Sequence, residues 1–289
     1  MLEPRQLLKT SNDFPSRLLA LADCPQSIDI AGSIVPQDNL SLAIVGSRKM
    51  SSYGKEVVQD VARSLAPYQV TVVSGLMYGV DMESHKAALD NNLRTIGVLG
   101  FGFNYLYKVP EMALVESIVS KNMGAIISEF KREEAPAPWT FPKRDRIIAA
   151  LGSVILVVEA GERSGTSYTV GSALQLGKEV LAVPGSIYSE VSIGCHKLIE
   201  DGARIVKSTQ DVLSALGLTG ETAGKTVILN SPLSKEEENV FKFLDQTGLP
   251  VDDIIVGCKR PSSTVLSCLV SLEMKGLIKD TGNGVYRKI

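Results

Sequence analysis

The feature that most constrains the fold of this chain is a repeated alternation between short apolar runs and amphipathic helical segments. The run LSLAIVGS, residues 40–47, is apolar almost throughout and ends in Gly-Ser, which is typical of a strand buried on both faces of a parallel sheet. Five similar runs follow, VTVVSG, RTIGVLG, GAIISEF, SVILVVEA and EVLAVPG, with helical spacing between them. The pattern predicts an α/β fold with a Rossmann-like, doubly wound and mostly parallel sheet.

Changes in composition divide the chain into four segments. Residues 1–37 are punctuated by proline and weakly periodic, so we interpret them as an irregular lead-in. The Rossmann-like domain is predicted over 38–216, followed by a Gly/Thr-rich linker over 217–232. Residues 233–289 contain a serine N-cap before acidic residues, two further helical segments and a Gly-Asn-Gly turn, which together predict a small winged-helix domain.

Composition and charge exclude several classes of protein. Hydrophobic residues make up 44% and charged residues 21% of the chain, which is typical of a globular protein with a sizeable core. No apolar run reaches the roughly 18 residues of a transmembrane helix, and no basic flank precedes an apolar N-terminal core. We therefore expect a cytoplasmic protein without membrane association. The net charge of −2 argues against broad coating of duplex DNA but is compatible with a local basic pocket.

The motifs that would indicate a metal, a cofactor or hydrolytic catalysis are incomplete. The four cysteines are far apart without a CxxC pair, and they are interpreted as reduced structural thiols. In a GxGxxG-like stretch Tyr105 replaces the third glycine, and the P-loop-like stretch 220–226 is one residue too short and lies in the linker. No GxSxG elbow or Ser–His–Asp set is present. We predict no metal, no cofactor and no catalytic residue.

The loops that follow the predicted strands hold the candidate binding residues, because ligands of such sheets bind beyond the carboxyl ends of the strands. Gly46, Ser47 and Arg48 end the first strand. The two small residues allow close approach of the backbone, and Arg48 can place its guanidinium on a phosphate. Gly75 has the same character after the second strand. Taken alone, each of these segments also fits an ordinary turn.

A helix start with the sequence FPKRDR, residues 141–146, places an aromatic residue beside three cations. Stacking on an aromatic ring combined with cations along the backbone is how proteins hold single strands without sequence preference. Phe141, Lys143 and Arg144 are therefore candidates, although a solvated basic helix start has the same spacing.

A third cluster, Arg163, Ser164 and Gly165, precedes the helix that starts at Thr166. Nearby Glu159 fits a catalytic acid, but we expect it to be an ion-pair partner of Arg163 or of Arg48.

These loops resemble, in order, those of the DNA-processing protein A family, which is called DprA or Smf. The matching segments are AIVGSRKMSSYG, TVVSGLMYGVDMESHKAAL, TIGVLGFGFNYLY, ISEF, FPKRDRIIAAL, VVEAGERSGT, AVPGSI and GCHKLIEDGA, within residues 13–216. The segment from residue 233 is similar to the winged-helix module that many members carry. The resemblance implies a divergent member that lacks the helical domain often found before the lead-in.

The resemblance implies a homodimer that binds single-stranded DNA without catalysing any reaction. Members of the family protect incoming strands during natural transformation and load the RecA recombinase onto them. The resemblance further implies phosphate contacts for the cationic candidates, base stacking on Phe141 and close backbone approach at the small residues. The predicted DNA-binding residues are Gly46, Ser47, Arg48, Gly75, Phe141, Lys143, Arg144, Arg163, Ser164 and Gly165.

Three positions depart from the family pattern. The family usually has arginine where Tyr78 stands, and asparagine where Asp145 and His196 stand. The first departure removes a cation and the second places an anion beside the proposed DNA path, so we expect DNA binding to be retained but weaker.

The predicted winged helix carries no excess positive charge. From Ser231 to Ile289 there are eight Lys/Arg and eight Asp/Glu residues, and the segment PSSTVLSCLVSLEMKG is nearly uncharged. Helices that read the major groove are usually basic. We therefore expect a protein–protein or weak accessory role for this domain.

Two other functions stay open at this point. The core also resembles, distantly, the lysine-decarboxylase-like phosphoribohydrolases, in which Glu159 would act on the ribose of a nucleoside monophosphate and the SGLMYG and RSGT loops would bind phosphate. The stretch EAGERSGTSYTV does not reproduce the PGGxGTxxE signature of those enzymes. The third candidate is a nucleotide-sensing scaffold for RecA-like or defence partners that binds no DNA.

Overall fold

The structure, a computed structural model, describes residues 2–218, 233–245, 247–275, 277–282 and 284–288. The chain divides into two compact units, Met1–Thr219 and Gly220–Ile289. Residues 219–232 of the predicted linker lie outside the described residues, as does Asn283 of the predicted Gly-Asn-Gly turn.

Among the described residues of the first unit, nine strands form one sheet. They are β1 (Arg5–Leu8), β2 (Ser27–Gly32), β3 (Ser41–Val45), β4 (Thr71–Ser74), β5 (Thr95–Val98), β6 (Gly124–Ser128), β7 (Val154–Val157), β8 (Val180–Ala182) and β9 (Arg204–Ile205). Their spatial order is β1-β2-β6-β5-β4-β3-β7-β8-β9. Strands β3 to β9 pair in parallel, whereas β1 and β2 pair antiparallel at one edge.

Helices connect the parallel strands and cover both faces of the sheet. They are α1 (Ser52–Leu65), α2 (Val80–Asp90), α3 (Met112–Ser120), α4 (Thr140–Leu151), α5 (Thr166–Gln175), α6 (Ile193–Glu200) and α7 (Thr209–Ala215). The predicted α/β fold is confirmed, because all six apolar runs form buried strands in a mostly parallel sheet. Burial on both faces explains why these strands are apolar throughout rather than alternating.

The lead-in, residues 1–37, is not irregular throughout, since it supplies β1 and β2. Strand β2 pairs with β6, with Asp29 opposite Ser128. Of the four residues in β1, only Leu7 is buried. Short strands of this kind carry little periodic signal, and β2 pairs with a strand about a hundred residues away in the sequence, so a local pattern does not identify them.

Helix α4 is held at its carboxyl end by Lys178. The ammonium group donates to the carbonyl oxygens of Ala149 at 2.8 Å, Ala150 at 2.5 Å and Gly152 at 2.5 Å. A cation at this end of a helix satisfies carbonyl groups that lack partners within the helix and interacts favourably with the helix dipole. Burial lowers the pKa of Lys178 to about 8. These contacts fix α4, which forms one wall of the site described below.

The second unit has the helices and strands of a winged helix. Its elements are α8 (Lys235–Phe243), β10 (Leu249–Pro250), α9 (Val251–Cys258), α10 (Ser262–Met274), β11 (Ile278–Asp280) and β12 (Val285–Lys288). Strand β12 pairs antiparallel with both β10 and β11. Ser234 caps α8 as predicted, because its hydroxyl accepts from the backbone N–H of Glu237 at 3.1 Å. A separate core contains Val240, Ile254 and Leu269.

Candidate functional site

A cleft of about 1000 Å³ opens beyond the carboxyl ends of β3 and β7. These two strands are neighbours, but β4 to β6 lie on one side of them and β8 and β9 on the other. The loops that leave β3 and β7 therefore diverge, and such a reversal of strand order is where doubly wound sheets bind ligands. The loop after β3 contributes residues 46–49, the loop after β7 contributes 161–165, and α4 forms a further wall.

The cleft brings together eight of the ten predicted binding residues. They are Gly46, Ser47, Arg48, Phe141, Arg144, Arg163, Ser164 and Gly165. Gly75 and Lys143 do not line it. Because these eight residues come from three separate stretches of sequence, the sheet topology is what assembles them.

Phe141 and Arg48 are in contact within the lining of the cleft. The guanidinium carbon of Arg48 lies 5.4 Å from the centroid of the Phe141 ring, within cation–π distance. The ring also packs edge-on against Phe101, with centroids 6.5 Å apart. On the sheet side, a Cβ at Gly100 would lie 2.8 Å from Cδ1 of Phe141. Glycine at this position therefore lets the ring settle against the end of β5.

Arg48 and Arg163 are both exposed, and neither has an ion-pair partner within the part of the chain that the structure describes. Each guanidinium thus keeps its planar set of N–H donors for an external acceptor. That geometry suits phosphate or carboxylate groups.

Arg144 is buried in the cleft floor rather than presented at its rim. Its Nε donates to Oδ1 of Asp145 at 2.9 Å, and its Nη1 donates to the carbonyl oxygens of Val98, at 2.6 Å, and Gly75. The guanidinium is satisfied by the protein, so we interpret Arg144 as a residue that fixes the floor, not as the phosphate contact predicted from sequence. A Cβ at Gly75 would overlap Asp81 and Arg144, which explains the glycine without a ligand.

Lys143 points away from the cleft. Its ammonium lies 5.5 Å from the ring centroid of Phe130 and 3.9 Å from Oε2 of Glu129. Phe130 in turn packs against the exposed Trp139, with centroids 5.9 Å apart. Consecutive helical residues diverge by about 100°, so Lys143 and Arg144 cannot serve the same surface. The prediction placed them together because sequence spacing at a helix start does not reveal the phase of the helix.

Glu159 is a structural residue of the loop after β7. Its side chain is buried and accepts hydrogen bonds from the Ser51 backbone N–H, at 2.9 Å, and from the Ser51 hydroxyl. Its carbonyl oxygen accepts from the Ser47 N–H at 2.7 Å. The predicted ion pair of Glu159 with Arg48 or Arg163 is therefore wrong, and its carboxylate does not line the cleft. These bonds join the loops that leave β3 and β7.

The charges of the cleft are balanced but separated in depth. The cationic lining residues are Arg48, Lys49, Arg144 and Arg163, and the acidic ones are Asp81, Asp145, Glu162 and Glu190. Three of the four cations are exposed, whereas the carboxylates of Asp81 and Asp145 lie low in the cleft beside Arg144.

Burial shifts the two carboxyl groups of the floor in the same direction. It raises the pKa of Asp81 to about 6, opposed by the charge of Arg144. Burial also raises the pKa of Asp145, opposed by Arg144 and, at greater distance, by Arg48. The exposed rim thus carries three cations against the carboxylates of Glu162 and Glu190, whereas in the floor two carboxyl groups face the single cation Arg144.

Of the three departures from the family pattern, only Asp145 lines the cleft. The side chain of Tyr78 is exposed outside it. His196 places its Nε2 3.0 Å from the carbonyl oxygen of Gly185, also outside the cleft lining.

Polar lining residues outside the predicted set include Lys49, Asp81, Tyr168 and Glu190. The first two lie beside predicted strand ends, which was a usable signal. Tyr168 is on the exposed side of α5, and nothing in its local pattern distinguishes it from a solvated helix residue.

Within the described residues, no group of three or more His, Cys, Asp or Glu side chains is arranged to hold a metal ion. In the same part of the chain no helix has the length and apolar character needed to cross a bilayer.

Comparison with known proteins identifies the family. Residues 5–217 match the family described as DNA recombination-mediator protein A, and residues 229–284 match the family's winged-helix domain. The chain belongs to this family of DNA-processing proteins. The earlier resemblance to DprA and Smf proteins is thereby confirmed, as is the assignment of the C-terminal unit as the DprA winged helix.

Three relatives illustrate the match. A protein of Mycobacterium tuberculosis named putative DNA processing protein DprA is 38% identical over 81% of this chain, and the chain spans 61% of that protein's length. Protein Smf of Escherichia coli is 35% identical over 96% of this chain and 75% of its own length. DNA processing protein A of Helicobacter pylori, whose structure was reported for its single-stranded DNA binding mode, superposes with a TM-score of 0.65 at 25% identity, covering 74% of this chain and 96% of that one.

Proposed function

We propose that the cleft binds single-stranded DNA and that the protein does so without catalysing a reaction. The observation that carries the proposal is the placement of Arg48 over the Phe141 ring, beside the unpaired Arg163, at the reversal of strand order. A stacking platform combined with cations that lack internal partners is the arrangement that holds a flexible polyanion without reading its sequence.

Binding would begin by displacing Arg48 from the ring. The guanidinium covers a ring face that a base can take, and an exposed cation–π contact is worth only about 0.5–1 kcal/mol. Once a base stacks on Phe141, Arg48 is free to pair with a neighbouring phosphate, and Lys49 and Arg163 are available for others. Ser47, Ser164 and Gly165 border the same path and keep the backbone accessible.

A single strand fits this cleft better than a duplex. The basic surface is local, with three exposed cations in the lining, and the whole chain carries a net charge of −2. Only about two or three phosphates can be neutralised at one cleft, so the affinity should fall with salt at a logarithmic slope of about −2.

The phosphoribohydrolase alternative lacks its acid. That mechanism assigns ribose chemistry to Glu159, whose carboxylate is held by Ser51 and does not line the cleft. The hydrogen bonds of Glu159 instead give it a structural role, because they join the loops that follow β3 and β7. This role supports a binding function for the site.

The wider role that we propose is protection of incoming strands and loading of a RecA-type recombinase onto them, by a cytoplasmic homodimer. It is supported by the family's description as a recombination mediator and by the single-stranded DNA binding reported for the relative from Helicobacter pylori. It does not rest on the geometry of the cleft.

The test compares oligonucleotide binding with nucleotide turnover. A labelled mixed-sequence oligonucleotide is titrated by fluorescence anisotropy at several salt concentrations, with wild-type protein and with Arg48→Ala. We expect wild type to bind the oligonucleotide in a salt-sensitive way, and Arg48→Ala to bind it at least tenfold more weakly. We expect no hydrolysis of a nucleoside monophosphate, which is measured as release of free base. Arg63→Ala on α1, whose side chain pairs with Asp60 at 2.9 Å, is the control and should bind normally. Release of free base would support the phosphoribohydrolase alternative. If Arg48→Ala bound the oligonucleotide as tightly as wild type, the assignment of binding to this cleft would be refuted.

A further inference from the structure

We propose that Asp145 makes the cleft selective for bases that carry an exocyclic amino group, so that a strand of cytosines binds more tightly than a strand of thymines. The inference rests on the proposed function, because it assigns a specificity to the same site. It concerns the second component of the cleft, its acidic floor, which phosphate binding alone leaves without a role.

Asp145 lies one turn along α4 from Phe141, whose ring is the stacking platform. Phe141 and Asp145 are four residues apart on α4, and both line the cleft. Residues at this spacing share a helix face, with about 5–6 Å between their Cβ atoms. A base stacked on the Phe141 ring therefore presents an edge to the carboxylate of Asp145.

The second step is that this carboxylate is a fixed acceptor. Its Oδ1 accepts from Nε of Arg144 at 2.9 Å, and this is the one hydrogen bond to the carboxylate that the described residues provide, so Oδ2 can accept from a ligand. Arg144 is itself anchored to the carbonyl oxygens of Gly75 and Val98, so it orients the carboxylate. The side chain of Asp145 is 13% exposed, which leaves it open to the cleft while most of it is shielded from water.

The third step is the chemistry of the base edge. An ionised carboxylate only accepts hydrogen bonds. Cytosine presents the N4 amino group, a donor, where thymine presents the O4 oxygen, an acceptor. Cytosine can thus satisfy the free Oδ2, whereas thymine places one acceptor against another in a partly desolvated site, where an unsatisfied polar group is costly. Stacking alone would treat the two pyrimidines nearly alike.

Neighbouring charges do not account for this selectivity. Arg48, Lys49 and Arg163 attract phosphates whatever base is attached, so they raise both affinities together. Glu190 is exposed on the same cleft and carries the same charge as Asp145, but it lies on the loop after β8, whereas Phe141 and Asp145 are on α4. It therefore provides a matched control for the loss of one negative charge.

The experiment measures oligo-dC and oligo-dT of equal length, each about 12 nucleotides, by anisotropy at one salt concentration near pH 7.5. Because one polar contact of this kind discriminates between bases, we expect wild type to prefer oligo-dC by about tenfold. Asp145→Asn can turn its amide to accept or donate, and should reduce the preference to within about twofold. Glu190→Gln should tighten both complexes and leave the preference unchanged.

The outcomes separate this inference from the function on which it rests. Equal affinities of wild type for the two strands would overturn the selectivity while the salt-sensitive, Arg48-dependent binding stands. If Asp145→Asn kept the full preference for oligo-dC, the role of Asp145 would be overturned. The comparison of the two strands with wild-type protein does not depend on whether a variant folds. If neither strand binds, both the selectivity and the proposed function fail.

Discussion

The cleft and the winged-helix unit both have balanced charge, but they use their charged residues in opposite ways. In the cleft, Arg48 and Arg163 are exposed at the rim and have no ion-pair partner among the described residues. In the winged helix, Lys275 pairs with Glu237 at 2.6 Å, and α10 contains no lysine or arginine. Net charge alone would rate the two regions alike. What distinguishes the cleft is that exposed cations without internal ion-pair partners lie around an aromatic ring in one concave surface.

The apolar residues of the two regions differ in the same sense. The cleft has one ring at its centre with a cation above it, whereas α10 exposes Leu266 and Val270 beside the small Ser267. An uncharged helix face of this type is not typical of a major-groove reader. The accessory or protein–protein role of the winged helix stays a prediction.

The largest effect should come from removing two cations of the cleft, compared with removing two exposed cations of the winged helix. Arg48→Ala with Arg163→Ala should weaken binding of an oligonucleotide about a hundredfold and reduce the salt slope by about 1.4, since two phosphate contacts are lost. Lys259→Ala with Arg260→Ala removes the same charge from exposed positions of the winged helix and should change affinity less than about twofold. Anisotropy titrations at four salt concentrations measure both. Equal losses in the two double variants would abolish the contrast between the regions.

The second effect tests whether a winged-helix charge is structural. Glu237→Gln breaks a mostly buried pair with Lys275 and should destabilise the unit by about 2 kcal/mol. Hydrogen bonds from Lys275, Ser271 and the Ser234 N–H lower the pKa of Glu237 to about 2. A depressed carboxyl pKa gives stability that is complete above about 4.5 and is lost as the pH falls toward 2.

Hydrogen exchange of amides 233–289 in the intact protein measures this change. The difference in stability between Glu237→Gln and wild type, measured from the protection of these amides, should be large at pH 7 and smaller at pH 3. The exposed neighbour Glu236 supplies the control, as Glu236→Gln should exchange like wild type. A loss of oligonucleotide affinity in Glu237→Gln would contradict the separation of roles.

A smaller effect should follow from loss of the stacking ring. Phe141→Ala should weaken oligonucleotide binding about tenfold, because stacking of one base is worth about 1–3 kcal/mol. Phe141→Tyr keeps the ring and should bind like wild type, while Phe141→Leu keeps the bulk without the ring and should resemble Phe141→Ala. If the leucine variant binds normally, the site uses apolar contact rather than stacking.

The smallest effect is a pH dependence of the cleft. The pKa of Asp81, about 6, lies above its ordinary value of 3.8, so the folded protein takes up a proton there that the unfolded chain does not. Ionised Asp81 therefore costs stability above pH 6, and that cost disappears as the pH falls toward 4. Lowering the pH from 7.5 to 5.5 removes one negative charge near Arg144 and Asp145, and should tighten oligo-dT binding about threefold. Asp81→Asn should show the tighter binding at both pH values; an unchanged pH profile in that variant would exclude Asp81 as its source.

Much of the fold could be predicted because burial on both faces makes parallel strands apolar without interruption. The run at residues 40–47 is readable for that reason, and so is the loop with Arg48 that follows it. β1 and β2 carry no comparable run, since the position of β2 is decided by pairing with β6 and that of β1 by pairing with β2.

Most of the predicted binding residues meet in one cleft, but the orientation of several side chains differs from the prediction. Glycine-rich loops at strand ends predict the location of the cleft without any knowledge of side-chain orientation. The orientation of a side chain depends on helix phase and on partners distant in sequence. Arg144 turns inward because the ends of β4 and β5 offer it carbonyl oxygens, and Glu159 turns to Ser51, more than a hundred residues before it. Local spacing contains neither fact.

The adjacency of β3 and β7 has a consequence for biosynthesis. Leu42 faces Val154 across this pair, so the two walls of the crevice are translated far apart in time. A growing chain with β3 to β6 already has Arg48 but has neither Arg163 nor the strand that spreads the loops. Nascent polypeptides therefore acquire both walls of the crevice only after residue 165 has left the ribosome, and a fragment ending before β7 has one wall alone.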